Sequence, residues 1–300
     1  MKAFARQLLA LTLVAFFVSA LVSTSAQALT LSNEKIPYYG DLFYQDVNKG
    51  VRDADLIEEL REVLTSKHQR SATTGGFDQI VKNCDSAAKG CYEQISIGYK
   101  GARKALLGNL NLVQITAKQY GIREVYCQET MTGDQFPDGD KPGPNITPSD
   151  KYINIEHTWP QSRFSSKFDK NIQKADLHHL FPTDSKLNSV RGNFKFAVVD
   201  KTEKALRCGL SKFGRSNLQG GHFFEPPDAH KGNVARALFY FSVRYNIKID
   251  PIEENFLKAW NKADPVDQEE SGRNEAIMKI QGNRNPFVDF PELADSIGDF

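Results

Sequence analysis

Glu156 and His157 are neighbours in the sequence and form the first group of residues that could do chemistry. A carboxylate is a suitable ligand for a hard divalent cation, and an imidazole can accept a proton near neutral pH. Such pairs more often lie on an ordinary protein surface, so the pair alone is weak evidence of a site. Further along, the sequence carries two more polar motifs, at residues 176–182 (DLHHLFP) and 186–194 (KLNSVRGNF).

The pattern around these motifs predicts a strand, a loop, a second strand and a helix. Residues 152–159 are typical of a strand, which the following proline ends because proline cannot donate to a β ladder. A second extended segment is expected near residues 175–180. Thr183 is the expected N-cap of a helix over residues 186–191, and the glycine after it ends the helix.

Helical patterns flank this centre. Apolar residues recur at helical spacing in residues 53–67 and 102–117, so the N-terminal third is predicted to be largely helical. Residues 234–245 are apolar on nearly every side and residues 253–262 are amphipathic, which predicts two further helices. Residues 128–150 are rich in Gly, Pro, Asp and Thr and predict a long surface loop. The predicted fold class is α+β, with helices from both ends around a small β-containing centre.

The N-terminus has the pattern of a secretion signal. Lys2 and Arg6 precede an apolar run over residues 8–22, which ends in the small-residue site Ala-Gln-Ala. A membrane anchor is the weaker alternative, because the run is shorter than the roughly 20 residues that span a bilayer. We expect cleavage after residue 28, an exported protein of residues 29–300 folded as a single domain, and no membrane association after cleavage.

Charge and cysteine content add to this picture. Residues 151–236 carry 15 Lys and Arg against 8 Asp and Glu, so the middle of the chain could face phosphates, although ordinary solvated charges are an equally good interpretation. The four cysteines suffice for two disulfides in an oxidising compartment. Cys84 and Cys91 could close a small loop, which would leave Cys127 and Cys208 to pair, but four cysteines allow three connectivities.

These motifs together resemble the bacterial endonuclease I family of periplasmic and secreted nucleases. The resemblance covers most of the chain after Tyr152. Besides the three central motifs it rests on EPP at residues 225–227, KGNVAR at 231–236, RN at 273–274 and QGNRNPF at 281–287. It implies a ββα-metal core (His-Me finger) at about residues 150–195, with a short antiparallel sheet surrounded by helices.

The resemblance also implies roles for individual residues. His157 matches the general base of the family, and Glu156 and Asn188 match its metal ligands. Mg²⁺ is the expected cofactor, and Ca²⁺ or Mn²⁺ may occupy the same site. A divalent cation would neutralise charge that grows on the phosphodiester in the transition state, while His157 takes a proton from the attacking water. The implied products carry 5′-phosphate and 3′-hydroxyl ends.

Neighbouring polar residues have less certain roles. Arg163 and Arg191 are candidates for binding the substrate phosphate, with ordinary salt bridges almost as good an alternative. Asp176 and His178 are candidates for supporting the site from behind. If one ring N–H of His157 donates to a backbone carbonyl near Lys174, that hydrogen bond fixes the tautomer in which the other ring nitrogen can accept a proton. Adjacent strand residues point to opposite faces, so the strand must twist, bulge or end at the Glu-His pair.

The leading functional hypothesis is an exported endonuclease, either periplasmic or secreted. It would cut DNA with little sequence preference, and RNA is a further candidate substrate. It would bind nucleic acid through the phosphate backbone, which carries no base information, and act as a monomer. One alternative is a catalytically silent nucleic-acid-binding or matrix protein of the same fold. Another is a metal-dependent phosphoesterase for small substrates, which the basic central stretch disfavours.

Overall fold

The computed structural model describes residues 29–85, 89–137 and 139–300, with Gln219 described only in its backbone. The predicted signal segment, residues 1–28, lies outside them. The helices are α1 (Gly40–Asn48), α2 (Asp53–Thr65), α3 (Gly98–Ala105), α4 (Lys170–Ala175), α5 (Ser185–Arg191), α6 (Asp228–Tyr245), α7 (Pro251–Ala263), α8 (Gln268–Gln281) and α9 (Pro286–Asp289). The strands are β1 (Lys67–Gln69), β2 (Gln79–Val81), β3 (Cys91–Tyr92), β4 (Leu112–Thr116), β5 (Gln119–Arg123), β6 (Thr130–Thr132), β7 (Ile153–His157), β8 (Leu180–Asp184), β9 (Lys195–Phe196), β10 (Lys201–Lys204), β11 (Lys212–Ser216) and β12 (Gln219–Glu225). This mixture of helices and small sheets is an α+β fold, as predicted.

The helix α6 forms the centre of the main apolar core. Its aromatic side chains, including Phe239 and Phe241, are fully buried and share one apolar cluster with Phe43 of α1, Leu60 of α2 and Phe290 near the C-terminus. Burial on nearly every side explains why its sequence lacks a polar stripe. The prediction that helices from both ends of the chain contribute to one core is confirmed for these residues. None of the described helices is long and apolar enough to span a bilayer.

Two predictions for the N-terminal third are wrong. The predicted helix over residues 102–117 covers α3 and a π-helical turn (Leu106–Leu110), after which the chain becomes β4. Val113 and Ile115 are β-branched, and β4 pairs antiparallel with β5, so the ladder takes over the backbone hydrogen bonds. The region also contains the sheet β2-β1-β3, which the helical spacing did not indicate.

The predicted strand, loop, strand and helix are present at the centre as β7, β8 and α5. β7 pairs antiparallel with β8, with His157 opposite Leu180. The second strand starts later than predicted, because the Asp176 side chain caps a 3-10 turn (Leu177–His179) that delays it. The predicted N-cap is also wrong: Thr183 lies within β8, and the Asp184 carboxylate instead accepts from the first amides of α5.

The described chain contains two disulfides, one local and one between segments distant in sequence. Cys84 bonds to Cys91, and Cys127 bonds to Cys208. Of the three possible connectivities this is the one expected from sequence. The second disulfide ties the segment before the central hairpin to the connection between β10 and β11 in the sheet β10-β11-β12-β9.

Candidate active site

The predicted catalytic residues line one open cavity of about 510 Å³ between β7 and α5. Glu156, His157 and Asn188 all contribute to its wall. The 14 lining residues are Tyr99, Asp150, Asn154, Ile155, Glu156, His157, Pro160, Gln161, Ser162, Asn188, Ser189, Arg191, Gly192 and Asn193. Most of these side chains are polar, so the cavity suits a hydrated, charged ligand better than an apolar one.

The side chain of His157 is held by a backbone carbonyl. Its Nε2 lies 3.1 Å from the carbonyl oxygen of Lys174, as anticipated from sequence, although Lys174 belongs to α4 and not to a strand. Gln161 Nε2 lies 3.4 Å from His157 Nδ1 on the cavity side. Burial, followed by the nearby His179, lowers the pKa of His157 to about 3, which favours the neutral imidazole.

Glu156 points the other way, toward α5. Its Oε1 lies 3.1 Å from Nε of Arg191, and both side chains are almost completely buried. Burial raises the pKa of Glu156, and Arg191 acts in the opposite direction. Glu156 and His157 therefore diverge as strand neighbours should, yet both reach the cavity because β7 ends at His157.

Asn188 is oriented by a second asparagine. Its Nδ2 donates to Oδ1 of Asn154 over 2.8 Å, which turns its own Oδ1 away from Asn154. Asn154 precedes Glu156 by two residues in β7, so both lie on the strand face toward α5. The two candidate metal ligands, Glu156 and Asn188, thus come from one face of β7 and from the first turns of α5.

This donor set fits a hard divalent cation. Glu156 Oε1 is buried at the wall of a polar cavity, where its ion pair with Arg191 lacks the geometry of a hydrogen bond. Oxygen ligands from one carboxylate and one amide, with water completing the shell, are what Mg²⁺ usually takes in proteins. The described residues hold no group of three or more His, Cys, Asp or Glu side chains that could bind a metal ion.

The two arginines lie in different places. Arg191 lines the cavity but is fully engaged: besides Glu156 it donates to the carbonyls of His157 at 3.2 Å and Thr158 at 2.6 Å. Arg163 is absent from the cavity wall; it donates to the Asn193 carbonyl and pairs with the buried Glu253. The salt-bridge alternative considered for each arginine is therefore present.

Asp176 and His178 do not line this cavity. Asp176 accepts hydrogen bonds from Tyr240, Tyr245, Gln94 and Gln281, and from the backbone of His178. The contacts hold the turn between α4 and β8 against α6 and α8. The role of Asp176 and His178 in supporting the site stays a prediction.

Sequence reasoning missed three cavity residues. Tyr99 lies beside His157 with 5.5 Å between ring centroids, and the Lys174 ammonium sits 4.7 Å from the Tyr99 ring centre. Asn154 and Gln161 complete the polar contacts described above. The alternation of β7 could have identified Asn154, but Tyr99 is brought in by α3 from far away in sequence.

Comparison with known proteins agrees with this arrangement. The family model of Endonuclease I matches residues 88–292. An extracellular ribonuclease of Bacillus subtilis is 40% identical over 162 residues, which are 48% of this chain and 53% of the relative. An extracellular deoxyribonuclease of Aeromonas hydrophila is 32% identical over 121 residues, 40% of this chain and 50% of the relative. Endonuclease-1 of Buchnera aphidicola is 32% identical over 122 residues, 40% of this chain and 46% of the relative.

The chain thus spans about half the length of the curated relatives it matches. The family match, in contrast, covers about two thirds of the chain and begins well before Tyr152, where the resemblance in sequence motifs starts. It includes α3 and β4 to β6 as well as the central hairpin. The chain belongs to the endonuclease I family.

Proposed function

We propose that this protein is an exported, metal-dependent endonuclease that hydrolyses phosphodiester bonds in DNA or RNA without sequence preference. The observation that carries the proposal is the cavity where neutral His157 meets the Glu156 and Asn188 oxygens. Relatives named as extracellular ribonuclease and deoxyribonuclease, and the two disulfides, support export and a nucleic-acid substrate. The core β7-β8-α5 is proposed to be a ββα-metal site.

Glu156 and Asn188 would hold the cation, for which we propose Mg²⁺. When bound, a divalent cation neutralises negative charge on the phosphate oxygens and stabilises the departing 3′ oxygen. Arg191 holds the carboxylate of Glu156 in place, and Asn154 holds the amide of Asn188. These contacts reduce the freedom of both ligands before substrate binds.

His157 would act as the general base. Its Nε2–H donates to the Lys174 carbonyl, so Nδ1 carries the lone pair, and the Gln161 amide lies 3.4 Å from it on the cavity side. Nδ1 takes a proton from water as the water oxygen bonds to phosphorus and the P–O3′ bond breaks, and the departing 3′ oxygen takes up a proton from solvent. The products carry a 5′-phosphate and a 3′-hydroxyl. The Lys174 carbonyl stabilises the imidazolium that forms, because it still accepts the Nε2 proton.

We assign Arg191 a positioning role, because its guanidinium pairs with Glu156 and donates to three backbone carbonyls. Contacts to the substrate phosphate are left to groups at the open side of the cavity. Lys174, placed over Tyr99, lies near the mouth and supplies positive charge. Binding through phosphates predicts affinity that weakens as salt is added.

Plasmid DNA and a folded RNA, each incubated with purified protein, test the proposal. Cleavage is expected with Mg²⁺, none with EDTA, and recovery when excess Mg²⁺ is returned. Glu156→Gln should raise the Mg²⁺ concentration needed for half-maximal rate, whereas Glu58→Gln, on the exposed face of α2, should not. Undiminished cleavage in EDTA, or no cleavage of either nucleic acid in Mg²⁺, would contradict it.

A further inference from the structure

Three aromatic rings outside the catalytic cavity form a small platform. Phe194, Phe213 and His222 are the aromatic platform, and all three are half-buried. The rings of Phe213 and His222 stack, with centroids 5.3 Å apart and planes 5° apart. Phe194 meets Phe213 edge-on at 5.0 Å and His222 at 6.1 Å. Phe213 and His222 thus stack on each other and Phe194 meets both edge-on, so the three half-buried rings form one aromatic cluster that is partly exposed to solvent.

The platform continues a sheet face that begins at the catalytic cavity. β9 lies beside β12, and β12 beside β11, with Phe196 opposite Phe224 and Phe224 opposite Phe213. At the inner end of this face, the Arg191 guanidinium lies 4.5 Å from the Phe196 ring centre. Alternation along β9 and β12 places Phe194 and His222 on the same face further out.

The distance from the platform to the cavity is short. Gly192 and Asn193 line the cavity wall, and Phe194 follows them directly. A Cβ built on Gly192 would lie 3.8 Å from the Phe194 ring, so the ring sits over a residue of the cavity wall. A polynucleotide with one phosphate in the cavity would therefore pass over the platform within a nucleotide or two.

Phe194 is not needed by the apolar core of the described chain. It belongs to none of the three apolar clusters, nor to the half-buried residues packed against them. Its ring contacts are with the other two platform residues. Beside the platform, Glu203 is engaged by both Arg215 at 2.7 Å and His222 at 2.6 Å, which offsets its repulsion of a phosphate chain.

We propose that the aromatic platform stacks an unpaired nucleobase next to the scissile phosphate, so that the protein favours single-stranded over duplex nucleic acid. Every base has a π face, so stacking adds affinity without reading sequence. A base in a duplex is already stacked and paired and would have to leave its helix first. This inference rests on the proposed nuclease function and names its preferred substrate.

Binding of fluorescently labelled single-stranded DNA tests the platform directly. All variants carry His157→Ala to suppress cleavage, and each is titrated with an intact oligonucleotide and with one of the same length containing abasic sugars. The protein that carries only His157→Ala should bind the intact oligonucleotide more tightly than the abasic one. Phe194→Ala should weaken that binding roughly 5- to 150-fold, the range for loss of one stacked base, and leave the abasic strand and duplex unaffected.

Further variants separate stacking from folding. Phe194→Trp should keep or increase the preference for intact strands, because it restores a larger ring. Tyr120→Ala removes a half-buried ring of β5 in another sheet and should change nothing. In protein that retains His157, Phe194→Ala should lower kcat/KM for single-stranded but not for duplex DNA.

The outcomes separate the two proposals. Two results would overturn the platform while cleavage in Mg²⁺ still supports the nuclease. One is equal affinity of the His157→Ala protein for intact and abasic strands. The other is an equal loss of affinity in Phe194→Ala for single-stranded, abasic and duplex DNA. Failure of the protein that retains His157 to cleave any nucleic acid in Mg²⁺ overturns the nuclease and the platform with it.

Discussion

Two of the acid and histidine pairs that are close in sequence, Glu156 with His157 and Asp176 with His178, differ in how far their hydrogen bonds are satisfied. Asp176 accepts from four side chains and one backbone amide, and His178 contacts the Asn283 carbonyl at 3.2 Å. Glu156 keeps one buried oxygen without a hydrogen-bond partner. Residue type is thus similar in the two pairs, but the environment is not.

The difference separates a scaffold from a site. Burial would raise the pKa of Asp176, but His178, His179 and the hydrogen bonds of Gln281 and Tyr245 bring it below its ordinary value. Glu156 has the opposite balance, with a raised pKa and Arg191 as its ion-pair partner. A carboxylate saturated by hydrogen bonds from the protein stabilises the fold, whereas one at a cavity whose ion pair lacks hydrogen-bond geometry can bind a cation.

Removal of the His157 imidazole tests this comparison with the largest expected effect. His157→Ala should lower the cleavage rate by roughly 10²- to 10⁴-fold, the usual contribution of a general base. Initial rates of plasmid nicking in Mg²⁺ measure it. His230→Gln replaces a histidine of comparable burial in a different cavity and should leave the rate per folded molecule nearly unchanged. Equal losses of cleavage rate in His157→Ala and His230→Gln would show that His157 has no special role in catalysis.

Replacement of Asp176 should damage stability instead of catalysis. Asp176→Asn leaves two tyrosine hydroxyls and two amides around a neutral group, and we expect a loss of about 3 kcal/mol in the free energy of unfolding. Urea denaturation measures it. Glu58→Gln, at an exposed ion pair, should change stability by less than about 0.5 kcal/mol. The comparison fails if Asp176→Asn is as stable as wild type.

Asn154 should act on the cation through Asn188. Asn154→Ala removes the acceptor that orients the Asn188 amide, so the Mg²⁺ concentration for half-maximal rate should rise roughly 10- to 100-fold, as for other groups that orient metal ligands. Asn193→Ala, in the same cavity wall, serves as the matched control. An unchanged Mg²⁺ requirement in Asn154→Ala would argue against the assigned ligand.

Acid should weaken the fold through the buried histidines of the scaffold. Burial lowers the pKa of His178 and His179 to about 4 and that of His230 to about 3. Below pH ~6.5 the unfolded chain binds these protons and the folded chain does not, so stability falls toward pH ~4. Asp176 is an acid whose pKa is lowered in the folded protein. Its contribution to stability is therefore lost only as the pH falls through that lowered pKa.

Urea titrations at about pH 7, 6 and 5 measure this slope, which is at most ~1.4 kcal/mol per pH unit for each histidine. His230→Gln should reduce the slope without abolishing it. Equal free energies of unfolding at neutral and acid pH would show that these histidines are protonated in the folded state.

Much of the centre was predictable from short-range pattern. The strand with Glu156 and His157, the helix with Asn188 and the order between them follow from alternation, proline and glycine. The start of β8 and the N-cap of α5 were misplaced. Asp176 caps the 3-10 turn before β8 and Asp184 caps α5, and the sequence alone does not rank one candidate cap against another. The strand β4 was missed because its apolar residues also satisfy helical spacing, and pairing with β5 decided the outcome.

The sequence by itself determined which groups are available: a carboxylate beside an imidazole, an asparagine on a nearby helix and four cysteines for two disulfides. The tertiary structure decided how each group is used. It occupied Arg191 with Glu156, turned Arg163 to Glu253, brought Tyr99 to His157 and surrounded Asp176 with donors. The physical reason is that the balance between burial and hydrogen bonding depends on neighbours that are distant along the chain, and only folding brings them together.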